Sequence, residues 1–322
     1  MTDPKRMESG GSDGLSEMPL GLGCWALGGR GWGGQAEKEA FAVMEAALEC
    51  GVCHFDTARA YGNSEKVVGR FIEKRREAVF LASKVLPGEA PAAIRCGLEL
   101  SLRNLRTDYI DLYYLHWPVE GLDIRPQVEV LEQKRAAGLI GSIGVSNYSV
   151  GQLRQAREAG TIDFLQVGYH LFWRVIEKEI LPCCMEEGIP VIAYSSLGQG
   201  LLTGKFGPVP GFAKGDHRPG SVLHFREDIW PAVHAATDEV KRLAKEAGRP
   251  PSHLALQWAA RRTGIRGVLA GARNRRQMME NAAAFGETLP EEVFLEMDRI
   301  SNRLTPRLPE AENVFGKAFP KA

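Results

Sequence analysis

Residues 53–62 read CHFDTARAYG. The run Cys53-His54-Phe55 follows Gly51 with strand character and ends on an acid, Asp56; Tyr61 stands five positions on, with Gly62 beyond it. Alone, this stretch also reads as a turn in which Asp56 bonds its own backbone and Tyr61 packs. The neighbouring segments decide between the two readings. Residues 78–84 (AVFLASK) run apolar into Lys84, and residues 109–116 (YIDLYYLH) run apolar into His116. Three successive strands thus end in an acid, a base and an imidazole.

The same alternation extends in both directions. Further strands are expected at 19–25 (PLGLGCW), 140–145, 164–168, 191–194 and 265–269. Helical stripes separate them at 35–50, 64–74 (with Ser64 as a cap), 91–104, 126–137, 150–159, 182–187 and 275–284. Two helices, 230–247 and 252–262, precede the last strand, and an extra C-terminal helix is expected at 291–301. Eight short apolar strands, each followed by a helix, imply an α/β chain folded as a single (β/α)8 TIM barrel rather than an open sheet. Residues 195–228 are far longer than an ordinary connection and are expected to be an irregular functional cover after the seventh strand. Residues 1–17, rich in Gly, Ser, Asp and Glu, are expected to form a flexible tail, with 18–322 as one barrel domain.

Such barrels carry their sites at the C-terminal strand ends, which gathers Asp56, Lys84 and His116 beside Tyr61. The four residue types fit one chemistry. A lysine ammonium near a phenol favours phenolate, an acid keeps the lysine in place and charged, and an imidazole can hydrogen-bond the oxygen that takes the proton. The set is a proton donor for an alkoxide, with no nucleophile and no metal.

Composition narrows the partner. Forty basic and forty acidic residues cancel, which argues against nucleic acid or an anionic membrane surface and for a small neutral or mildly polar ligand, and the proton-donor set makes a small-molecule carbonyl or alcohol the candidate. No signal peptide or spanning segment is apparent, so a cytoplasmic protein is expected. The six cysteines and seven histidines contain no complete metal motif. The glycine-rich loop at 28–34 (GGRGWGG) does not fit a dinucleotide fingerprint and reads as backbone tolerance beside a pocket, with Trp25 and Trp32 as wall residues.

Taken together, FDTARAYGNSE (55–65), ASK (82–84), YYLHWP (113–118), GLIGSIGVSNYS (138–149), AYSSLGQGLLTGKF (193–206) and GARNRRQMMEN (271–281) resemble the aldo-keto reductase family. The similarity runs from about residue 19 to 284. It is nearest the branch holding bacterial sugar and aldehyde oxidoreductases and potassium-channel β subunits. The resemblance implies that Asp56, Tyr61, Lys84 and His116 are the catalytic four. It implies NADP(H) as cofactor, with Ser146, Asn147 and Gln166 on the nicotinamide carboxamide and Tyr194 stacked on the ring. Ser195, Leu197, Gly198, Gly200 and Lys205 then line the pyrophosphate, with Arg218 on the covering loop. Gly271, Arg273, Gln277, Glu280 and Asn281 hold the adenosine end, with Arg273 the candidate for a 2′-phosphate. Trp25, Trp32 and Trp117 would wall the substrate pocket. The N-terminal hairpin usual in the family is poorly recognisable, so the barrel bottom is expected to be less well plugged. A nucleotide-sensing regulatory subunit with slow turnover is the alternative; a sugar-phosphate isomerase or lyase would leave Tyr61, Asn147 and Gln166 without a joint use.

Overall fold

The computed structural model describes residues 15, 17–29, 31, 32, 34–86, 88–309, 311, 313 and 315. Eight strands close in chain order into a parallel barrel. They are β1 (Leu20–Gly23), β2 (His54–Asp56), β3 (Phe80–Lys84), β4 (Ile110–Leu115), β5 (Ile140–Ser146), β6 (Phe164–Gly168), β7 (Val191–Tyr194) and β8 (Ile265–Ala270). Around them lie α1 (Glu37–Glu49), α2 (Ser64–Ile72), α3 (Pro91–Leu105), α4 (Arg125–Ala136), α5 (Val150–Arg157) and α6 (Ile180–Glu186). The chain between β7 and β8 carries α7 (Arg218–Ser221), α8 (Trp230–Glu246) and α9 (Pro251–Ala260); α10 (Arg275–Ala283) and α11 (Glu291–Leu304) follow β8. Pairing of Leu20 with Val268 closes the ring. The fold is the expected (β/α)8 barrel.

Strands covered on both faces need apolar residues on both, which is why they read as near-continuous hydrophobic runs. One face packs on the helices: Val67, Val68, Phe71 and Ile72 of α2 are all buried in the outer core. The other face fills the barrel with Ala82, Leu112, Tyr114, Phe164, Ile192 and Leu269. Because side chains alternate along a strand, the residues two positions on from Ala82, Phe164 and Ile192 point the same way. These are Lys84, Gln166 and Tyr194, the inward residues at the C-terminal rim.

Several expectations shift. Strand β1 stops at Gly23, because Trp25–Gly28 turn into a 3-10 helix. The long segment after β7 is not irregular throughout; 3-10 turns at Gly198–Thr203 and Leu223–Phe225 flank α7, too short to show a periodic stripe. Ser64 does not cap α2. Its hydroxyl donates to the Cys24 carbonyl at 2.8 Å and accepts from Thr57 at 2.7 Å, pinning the β1 and β2 ends together. The tail expected at 1–17 falls mostly outside the described residues, but Leu15 is buried in the inner cluster, and its carbonyl accepts from Arg266 at 3.1 Å. A leucine therefore plugs the interior that was expected to be poorly filled. Among the described residues, no helix is long and apolar enough to cross a membrane, and no three metal-ligating side chains are grouped.

Candidate active site

Strand ends β2, β3 and β4 are neighbours, and their register places Asp56 opposite Ala82 and Lys84 opposite Tyr114. Lys84 is fully buried, and its Nζ donates to Asp56 Oδ1 at 2.6 Å and to the Thr57 carbonyl at 2.9 Å. The second carboxylate oxygen, Oδ2, accepts from Gln166 Nε2 at 2.8 Å. An ionised carboxylate only accepts, so this bond fixes which end of the Gln166 amide faces Asp56 and leaves Oε1 turned away as an acceptor.

Tyr61 sits on the loop after β2, half-buried, with its hydroxyl 3.4 Å from His116 Nε2. The loop is held from below by Gly28. A methyl group there would lie 1.8 Å from the Tyr61 carbonyl oxygen, so only glycine allows this approach. The four expected residues are thus brought together, but one expected influence is corrected. Lys84 Nζ lies 5.1 Å from the Tyr61 ring centroid with its bonds spent on Asp56 and Thr57. Burial, followed by the Asp56 charge, pushes the Tyr61 phenol well above its ordinary value instead of down. Burial also draws Lys84 below the usual lysine value, opposed by Asp56, and holds His116 well below the imidazole range, with Lys84 adding to the effect. The site at neutral pH holds a neutral phenol beside a neutral imidazole.

Further round the rim, Ser146, Asn147 and Gln166 are buried side by side at the ends of β5 and β6. Asn147 Nδ2 donates to Ser146 Oγ at 3.0 Å and to the His116 carbonyl at 3.3 Å, and its Oδ1 accepts from the Tyr194 hydroxyl at 2.7 Å. Asn147, Ser195 and Gln199 all have positive φ, a conformation that costs free energy for a side-chain-bearing residue and clusters at functional rims. Beyond Ser195 and Leu197, Gly198 and Gly200 carry the chain over Lys205: a Cβ on Gly200 would meet its Nζ at 3.0 Å. Arg218 is tied to Asp216 and donates to the Gln199 carbonyl at 3.0 Å. Burial and the charges of Arg218 and Arg273 draw Lys205 below its ordinary value, with Asp216 opposing. Lys205 Nζ and Arg218 Nη1 thus both flank Gly200.

After β8, Asn274 caps α10 by accepting from the Gln277 amide. Gln277 Oε1 accepts from the Arg273 amide at 2.8 Å, Glu280 accepts from Ser252 at 3.1 Å, and Asn281 Nδ2 reaches the Gly271 carbonyl at 3.4 Å.

Trp25 stacks on Tyr61 with centroids 5.6 Å apart and meets Trp32 edge-on at 5.5 Å. Trp117 joins them through a residue that sequence reasoning missed, Phe315. This ring lies 6.1 Å from Trp117 and 6.4 Å from Trp25, and runs nearly parallel to Tyr194 at 6.4 Å. Its place in the C-terminal stretch beyond the last helix, with no periodic pattern around it, signals no such contact. Gln35, also unremarked, reaches Arg273 from the β1–α1 connection.

The sequence profile described as Aldo/keto reductase family matches residues 19–302. This chain belongs to the aldo/keto reductase family. Among family members of known sequence, it is similar to aldo-keto reductase YhdN of Bacillus subtilis, with 36% identity over 293 residues covering 87% of this chain and 88% of the relative. It is 31% identical over 300 residues to the NADH-specific methylglyoxal reductase of Escherichia coli, covering 84% and 91%. Among solved structures of aldo/keto reductases, it resembles the glycerol dehydrogenase AKR11B4 of Gluconobacter oxydans with a TM-score of 0.80 and 33% identity, over 91% of this chain and 94% of that one. A Klebsiella pneumoniae aldo/keto reductase in complex with NADP and acetate matches with a TM-score of 0.72 and 30% identity, over 93% and 95%.

Proposed function

We propose that this aldo/keto reductase is a cytoplasmic NADP(H)-dependent oxidoreductase that interconverts an aldehyde or ketone and an alcohol, with Tyr61 as the general acid. The observation that carries the reading is the neutral Tyr61 hydroxyl beside His116 Nε2, set on the buried Lys84–Asp56 pair at adjoining strand ends. The nicotinamide, when bound, supplies the hydride to the carbonyl carbon. Tyr61 gives its proton to the oxygen, where negative charge develops, and His116 in its Nε2–H tautomer donates a hydrogen bond there. Lys84, 5.1 Å from the ring centroid, does not lower the resting phenol; its part is to favour the phenolate that forms as the proton leaves. Trp25, Trp32, Trp117 and Phe315 exclude water from the carbonyl.

The cofactor reading fits the residues present. Ser146, Asn147 and Gln166 offer donors and acceptors for a carboxamide, Tyr194 offers a ring face, and Lys205 and Arg218, both beside Gly200, offer cations for a pyrophosphate. The Klebsiella relative in complex with NADP supports the dinucleotide, and Arg273 at the mouth of α10 supports the 2′-phosphate form. An aldehyde, ketone and aldose scan that follows reduced nicotinamide absorbance tests the activity. Tight NADPH binding without turnover on any class would overturn it in favour of a sensing subunit.

Two expectations accompany the proposal. Arg273→Ala should weaken NADPH by about tenfold or more, as befits a charged hydrogen bond of ~1.5–3 kcal/mol, and leave NADH nearly unchanged; fluorescence titration with both cofactors measures it, and equal losses would refute the assignment. The second concerns pH. His116, held below its ordinary value, becomes cationic only under acid conditions, and Tyr61, held above its own, loses its proton only at high pH. kcat for reduction should therefore stay flat from about pH 6 to 8, whereas a limb near the unperturbed imidazole value of ~6.5 would contradict the assignment.

A further inference from the structure

The glycine-rich β1–α1 connection reads in the sequence as a flexible pocket wall, with no part in cofactor choice. In the structure it bridges the mouth of the barrel. At one end the Gly31 carbonyl accepts from the His217 amide at 3.1 Å, and Trp32 pairs with Asp216. At the other end it grips Arg273. The Gly34 carbonyl accepts from Arg273 Nη2 at 2.6 Å, Gln35 Oε1 accepts from Nε at 3.4 Å, and Gln35 Nε2 donates to the Arg273 backbone carbonyl at 2.8 Å. Gly34 has a φ of 84°, so its backbone turns into this contact as only glycine does readily.

One amide thus holds both the main chain and the side chain of the same arginine. A guanidinium has five N–H donors in a rigid fork. The bonds to Gly34 and Gln35 use the Nε proton and one Nη2 proton, which leaves the outer edge, both protons of Nη1 and one of Nη2, for a bidentate anion. An exposed arginine otherwise samples many rotamers and must lose that freedom when it meets a phosphate; a clamp on its inner edge removes the loss in advance.

We propose that Gln35 is a specificity-determining positioning residue: through Arg273 it sets the preference for a 2′-phosphorylated dinucleotide. The proposal rests on reading Arg273 as the 2′-phosphate contact. It assigns the β1–α1 connection a part in cofactor choice, distinct from any contact with the substrate.

The experiment is titration of NADPH and NADH, by nicotinamide fluorescence at fixed ionic strength, into the parent chain and into Gln35→Ala, Gln35→Glu, Arg273→Ala and Gln35→Ala/Arg273→Ala, with thermal melts of each. Gln35→Ala should raise the NADPH Kd by about two- to tenfold, the equivalent of one net hydrogen bond, and leave NADH in place. Gln35→Glu should cost more, because a carboxylate neutralises the guanidinium and repels the phosphate. The double variant should bind NADPH as weakly as Arg273→Ala alone, since Gln35 acts only through that side chain. If Arg273→Ala loses its preference while Gln35→Ala keeps the parent's ratio, the inference fails and the Arg273 assignment stands. Should neither variant alter the ratio, the Arg273 assignment fails and the inference with it. Equal losses for both cofactors in Gln35→Ala would show a merely structural loop contact and overturn the proposal.

Discussion

Tyr61→Phe is expected to lower kcat for carbonyl reduction by about 10²- to 10⁴-fold while NADPH binds with nearly the parent's affinity. The ring contributes to packing and the hydroxyl little: Trp25 stacks on the ring at 5.6 Å, whereas among the described residues the oxygen's hydrogen-bond partner is His116, at a long 3.4 Å. Phenylalanine keeps the first contact and removes the proton. An interaction needed only when charge develops on the substrate oxygen affects the transition state and spares the ground state, so the loss belongs in kcat. Burial holds the Tyr61 phenol protonated, so the parent carries the acid form at neutral pH. Steady-state kinetics together with cofactor titration separate the two quantities. Retention of most of the turnover would mean that His116 or water supplies the proton. His116 is poorly suited to that role, because burial and Lys84 keep its imidazole neutral.

What the sequence made legible follows from the range of the interactions involved. Asp56, Lys84 and His116 could be gathered in advance because each ends an apolar strand, and strand order in a barrel converts chain order into adjacency. Asn147 and Gln166 were assigned through the family resemblance, yet the bond from Gln166 to Asp56 spans 110 positions and could not be read from either strand. The electrostatic sign at Tyr61 was misjudged for a related reason. A lysine beside a tyrosine suggests a lowered phenol, but Asp56 and the Thr57 carbonyl take up the Lys84 ammonium, and burial dominates what remains. Leu15 stands alone among polar residues and leaves no periodic trace, and Phe315 lies beyond the last helix, in a stretch with no strand or helix pattern to place it. Gln35 and Arg273 are 238 positions apart and meet only because α1 and α10 flank the β8–β1 seam of a closed barrel.

Lys84→Met is expected to abolish most reduction and also to destabilise the fold by about 3–5 kcal/mol, the usual cost of breaking a buried ion pair from one side. The size follows from the surroundings of Asp56. Its side chain is 4% exposed, so water cannot replace the lysine, and Gln166 Nε2 remains as the hydrogen-bond donor to the carboxylate. An uncompensated anion in the barrel interior is the larger part of that cost. Asp56→Asn in the same chain should therefore recover much of the stability, because a neutral amide beside methionine leaves no buried charge, while activity stays lost because nothing cationic remains near the Tyr61 phenol. Urea denaturation of the parent, the two single variants and the double variant gives the coupling energy, and kcat on the same four proteins gives its catalytic counterpart. If the double variant were as unstable as the sum of the singles, the pair would not be coupled as its 2.6 Å contact implies. If instead it regained turnover along with stability, Lys84 would be a structural residue, and the field at Tyr61 would have to come from elsewhere.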